Sequence, residues 1–90
     1  MDTQDDRIEM EFPQRFAIKA MGENSDDFAT HVTALIMAHA GQDAPLELTE
    51  RNSKNERFRS VTVEIMATSR QQLDAIYQAL TDDERVLMAL

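Results

Sequence analysis

The stretch FRSVTVEIMAT, Phe58 to Thr68, alternates without a break. Val61, Val63, Ile65 and Ala67 face one way, and Phe58, Ser60, Thr62, Glu64 and Met66 face the other. A period of two with β-branched residues on one side predicts a strand with one face on a core and one uncovered. Just before it, RNSKNER is polar throughout and rich in residues that tolerate turns. Ahead of that, Leu46 and Leu48 alternate with Glu47 and Thr49 in a strand starting after Pro45, so the two strands read as a hairpin. On the other side, Ser69 and Gln72 have the spacing of a capping box, and Leu73, Ile76, Tyr77 and Leu80 recur on one helical face. Asp82-Asp83-Glu84 is expected to turn, and Arg85 to Leu90 to form the last strand.

The first half of the chain has the same grammar. From Gln14 to Met21, Phe16, Ile18 and Ala20 alternate with Ala17, Lys19 and Met21, a first strand. Gly22-Glu23-Asn24-Ser25 is expected to break it, with Asn24 or Ser25 capping a helix whose first turn holds Asp26 and Asp27. Phe28, Val32, Leu35, Ile36 and His39 then mark one apolar helical face, and Gly41 terminates it. Residues 1–11 carry five acids and one arginine and read as a disordered acidic tail before a single domain at 12–90. The order strand, helix, strand, strand, helix, strand predicts an α+β, ferredoxin-like βαββαβ sandwich. Right-handed crossovers place both helices on one face of a four-stranded antiparallel sheet.

Composition narrows the function. Ninety residues without cysteine exclude a disulfide framework, a thiolate metal site and a cysteine nucleophile. The longest purely apolar runs, Ala34–Ala38 and Val86–Leu90, fall far short of the roughly 20 residues a membrane helix needs. The acidic N-terminus lacks a signal pattern, so a soluble, cytoplasmic protein with no membrane partner is expected. His31 and His39 lie about two turns apart and roughly 80° out of line, which is poor geometry for one metal. They read as structural, with a partly buried His39 helping the helix C-terminus. No nucleophile, base and acid fall into a catalytic arrangement, so neither an enzyme nor a cofactor or metal site is expected.

The formal charge is 9 − 17 = −8, unevenly spread. Within residues 51–59, Arg51, Lys54, Arg57 and Arg59 oppose only Glu56, a net 4 − 1 = +3, leaving −11 for the rest. The uncovered sheet face should show Ala17, Lys19, Met21, Phe58, Ser60, Thr62, Glu64 and Met66, with Leu87 and Ala89 from the last strand. Together these suggest a regulatory or adaptor domain whose protein partner is held by Arg51, Lys54, Arg57, Phe58, Arg59, Thr62 and Met66. Nucleic-acid binding ranks third, since the overall charge repels phosphate and Phe58 is the sole aromatic on that face. A monomer or weak homodimer fits the composition.

The chain also resembles the YbeD-like family of small bacterial proteins. The likeness rests on Glu11-Phe12-Pro13, Phe16, Lys19, Met21-Gly22, Ser53-Lys54, Ser60-Val61-Thr62-Val63, Ala67-Thr68, Gln72, Tyr77, Leu80, Val86, Met88 and Leu90. It implies a ferredoxin-like fold similar to ACT regulatory domains and no catalytic residues. By that analogy Gly22, Glu23, Asn24 and Ser25 would receive a small carboxylate metabolite, an amino acid or a lipoate-related acid.

Overall fold

The computed structural model describes residues 10–90. Its elements are β1 (Gln14–Glu23), α1 (Phe28–Ala40), β2 (Glu47–Asn52), β3 (Phe58–Ala67), α2 (Arg70–Asp82) and β4 (Val86–Ala89). The strands form one antiparallel sheet in the order β2-β3-β1-β4, the expected ferredoxin-like topology. Met10, which the sequence reading put in the tail, packs against the core, as does Phe12; the rest of that tail before it lies outside the described residues.

Alternation builds the core. Ile18 and Ala20 of β1 and Val61, Val63, Ile65 and Ala67 of β3 are fully buried, beneath Phe28, Val32 and Ile36 of α1 and Leu73, Ile76 and Leu80 of α2. Each of the valine, leucine, isoleucine and phenylalanine side chains contributes roughly 1.5–3 kcal/mol on burial, and the alanines less. The register locks this arrangement, because Ile18 pairs with Val63 and Ala20 with Val61, and a one-residue slip would turn every apolar side chain outward. No described residue contributes a buried charged or polar side chain to the core.

Helix ends depart from the sequence expectation in instructive ways. The strand β1 runs on through Gly22 and Glu23, and α1 starts only at Phe28. Asp26 and Asp27 therefore precede the helix, and Asp27, at the N-cap, makes no side-chain cap bond because its carboxylate is engaged by Arg85. At the other end Gly41 terminates α1 in the left-handed region at φ 70°. His39 is exposed; Ala40, one turn beyond Ile36, fills the core position instead. The Ser69 hydroxyl accepts from the Gln72 amide at 3.0 Å, as expected. Gln72 reaches further: its Oε1 accepts from Thr68 N, and its Nε2 donates to the carbonyls of His39 and Ala40. One side chain thereby caps the start of α2 and the end of α1.

The last strand is also shifted. Arg85 precedes β4, and a bulge between Met21 and Gly22 offsets its pairing, so that Met88 faces Met21 and Ala89 faces Ala20. Ala89 thus lies on the core side, contrary to the sequence expectation. Met88, and Leu90 paired to Lys19 through two backbone bonds of 2.8 and 3.0 Å, occupy the uncovered face. Leu87 sits at the bulge, exposed to solvent.

Candidate functional site

Neighbouring positions in register share a face, which orders the uncovered side of the sheet into rows. From the hairpin end these rows are Glu23–Phe58, then Met21–Ser60–Arg51, Lys19–Thr62–Thr49, Ala17–Glu64–Glu47 and Arg15–Met66. Charge is polarised along them. At the far end Arg15 is paired to Glu64 and held above its usual pKa, first by that hydrogen bond. At the hairpin end Lys19 and Arg51 flank the Ser60 and Thr62 hydroxyls, and neither cation has a side-chain hydrogen bond or ion pair among the described residues. The two line a shallow depression of about 230 Å³. Beside it Met21, Phe58 and Ser60 line another of about 150 Å³. Arg57 lies over the Phe58 ring at 5.5 Å, extending the cationic surface toward the hairpin tip with Lys54.

Arg59 borders the second depression, but its side chain turns to the other side of the sheet. It pairs in register with Gly22 and Asn52 on the helix side of the sheet. Its side chain is 16% exposed, with the guanidinium donating to Glu50 Oε1 at 3.2 Å and Asn52 Oδ1 at 3.1 Å. Parity had already carried that signal, since Arg59 stands between Phe58 and Ser60, both outward. Conversely, Lys19 was recognised on the open face but not grouped with the basic hairpin. A strand pair separated by many residues in sequence brings it beside Arg51. Thr62 and Met66 lie on the open face as expected.

The loop candidates are divided as well. Gly22 is buried within β1, under the Phe28 ring. Glu23, Asn24 and Ser25 line a cavity of about 290 Å³ together with Glu84, Arg85 and Leu87. Asn24 is tied to the hairpin, its amide donating to the Arg57 carbonyl at 2.9 Å and its Nδ2 to the Glu56 carbonyl at 2.8 Å. Arg85, which the sequence reading passed over, is the cation of this cavity. Its guanidinium donates to both Asp27 carboxylate oxygens, at 2.7 and 3.3 Å, and to the Ser25 hydroxyl at 2.7 Å. It also lies 5.9 Å from the Phe28 ring centre. No group of three or more potential metal-ligating side chains occurs among the described residues.

The hydrogen bond from Arg85, then that from Ser25, holds the Asp27 carboxyl down at about 2. A carboxyl depressed on folding stabilises the fold above its unfolded pKa, and that contribution disappears as pH falls through about 2. Arg85→Met is expected to raise the Asp27 midpoint toward the ordinary carboxylate range, with the Ser25 hydrogen bond still holding it somewhat below, read by carboxyl-carbon NMR titration. A midpoint left unchanged by the substitution would contradict the assignment. A second link, His31 Nε2 to Asp83 Oδ2 at 2.8 Å, joins α1 to the residue after α2. Burial acts to raise Asp83, but the His31 hydrogen bond and the Arg85 amide outweigh it and hold the carboxyl below its usual range.

Comparison with known proteins agrees with this fold. Residues 8–90 match a family described as a protein of unknown function, DUF493, and the chain belongs to that family. A UPF0250 protein of Chromobacterium violaceum is 46% identical over 80 residues, covering 89% of this chain and 90% of the relative. Another, of Azotobacter vinelandii, is 40% identical over 90 residues, 99% of this chain and 98% of its own. Among solved structures, the protein HP0495 from H. pylori superposes with a TM-score of 0.75 at 18% identity, covering 100% of this chain and 94% of that one. That likeness establishes the fold. No helix among the described residues is long and apolar enough to cross a membrane.

Proposed function

We propose that this member of the DUF493 family is a non-enzymatic adaptor or regulatory domain that holds an acidic segment of a protein partner on its uncovered sheet face. The observation that carries this reading is that Lys19 and Arg51, two cations without side-chain partners among the described residues, stand on either side of Ser60 and Thr62. Two cations and the Thr62 hydroxyl suit carboxylates, while the Ser60 hydroxyl donates to the Arg51 carbonyl at 3.4 Å. Met21, Met88 and Phe58 beside them offer apolar anchorage, and Lys54 and Arg57 at the hairpin tip would steer the approach of an acidic partner.

A photo-reactive residue placed at Thr62, in the middle of this face, should capture a protein covalently in the source cell. The same residue at Gln71, exposed on α2, should not. Equal capture at both positions, or none at Thr62, would contradict the proposal.

Sensing of a small carboxylate has one observation in its favour, the Arg85-lined cavity next to Glu23, Asn24 and Ser25. Such a ligand would have to displace Asp27 from Arg85 between the carboxylates of Glu23 and Glu84, which disfavours it against the sheet face.

A further inference from the structure

Four strands are wider than two helices, and the excess falls at β2. The helix α1 packs over β3 and β1, α2 lies beside it toward β4, and every residue of β2 is exposed. The core-side face of β2 is therefore left open. Leu48, opposite the buried Val63, is 45% exposed, and Leu46 before it 43%. Between β2 and the outer flank of α1 runs a groove of about 500 Å³ floored by Ala29, Ala34, Met37 and Leu48. The Thr33 hydroxyl in its wall is buried without a hydrogen-bond partner. Along α1 the groove extends about 12 Å from Ala29 to Met37, a little over two turns of a helix.

Its rim is acidic. Asp26 and Asp43 stand at the edges and have no side-chain hydrogen bond or ion pair among the described residues, while Glu50 shares its charge with Arg59. From an apolar floor between free carboxylates we infer that this groove docks a basic amphipathic helix of a partner protein, apolar stripe inward and lysines or arginines toward Asp26 and Asp43. A helix laid over Leu48 would complete the helical layer above β2 and bring a hydrogen-bonding side chain within reach of Thr33. The chain's own first nine residues do not fit, since Asp2, Asp5, Asp6 and Glu9 oppose only Arg7. A second copy, at −8 overall, is disfavoured by the same repulsion. This surface meets the depression of Lys19 and Arg51 only at Glu50, which lines both; otherwise β2 divides the two, with Arg51 turned to one side and Leu48 to the other.

The probe is a synthetic peptide of about 14 residues with leucines in helical i, i+4, i+7 register and lysines on both flanks, titrated into the isotope-labelled full chain. Amide and methyl shifts are expected at Ala29, Thr33, Met37 and Leu48. Affinity should drop at least ~10-fold for a scrambled peptide of identical composition and for the D26K/D43K variant, which changes only exposed side chains. Equal binding of the scrambled peptide, shifts on the open sheet face instead, or unchanged affinity in D26K/D43K would overturn the inference. So would groove shifts that follow protein concentration without peptide, which would assign the groove to a second copy.

Discussion

Replacing Gly22 by alanine is expected to lower the unfolding free energy by about 3 kcal/mol, among the larger effects of any single methyl added to this chain. A Cβ at this position would lie 2.5 and 2.6 Å from two atoms of the Phe28 ring and would overlap the carbonyl oxygen of Arg85. Neither neighbour can yield cheaply. Phe28 is fully buried, and Arg85 is fixed from both sides, its amide donating to Asp83 Oδ1 and its guanidinium to Asp27. The glycine is needed for space where β1, α1 and the approach to β4 meet. Urea unfolding of G22A measures the loss, and a stability within about 0.5 kcal/mol of the parent would contradict the packing account. Phe28→Leu in the same chain should recover part of that loss, giving a favourable coupling in the double-mutant cycle.

Much of the fold was legible in the sequence because strand and helix periods are local quantities. Val61, Val63 and Ile65 needed only their own spacing to declare a buried face. Gly41 and the Ser69–Gln72 pair likewise announced their helix ends. What escaped was decided by contacts between distant segments. Asp27 looked like a helix-start carboxylate but is claimed by Arg85, 58 residues away. Gly22 suggested a loop because glycine is common in loops, whereas the Phe28 ring above it is the physical reason for the residue. The bulge against Gly22 shifted β4 and exchanged the faces expected of its residues.

The candidate site was half visible for the same reason. The run from Arg51 to Arg59 announced a basic hairpin, yet alternation sends Arg51 and Arg59 to opposite faces, and Glu50 and Asn52 tie the latter down. Lys19 joins Arg51 only once β1 has paired with β3, and β3 with β2. The groove beside β2 left no trace in periodicity at all. Leu46 and Leu48 alternate as in any half-buried strand, and only the placement of α1 leaves them open.

The second large effect concerns the charge of the sheet face. Reversal of both cations, K19E/R51E, is expected to weaken an acidic partner about 100-fold, roughly tenfold for each converted attraction. Stability should move by no more than about 0.5 kcal/mol, because both side chains are exposed and without partners among the described residues. Steering is part of the effect. Association should slow with added salt in the parent and lose that dependence in the variant. By contrast D26K/D43K, on the far side of β2, should leave this interaction intact or strengthen it slightly through the change in net charge.

The central claim is that Lys19 and Arg51 hold an acidic partner segment on the uncovered sheet face. Calorimetric titration of the protein captured at Thr62 against the parent and K19E/R51E tests it most directly. The account predicts a loss of about 100-fold in affinity with the fold intact; affinities within about threefold of each other would contradict it.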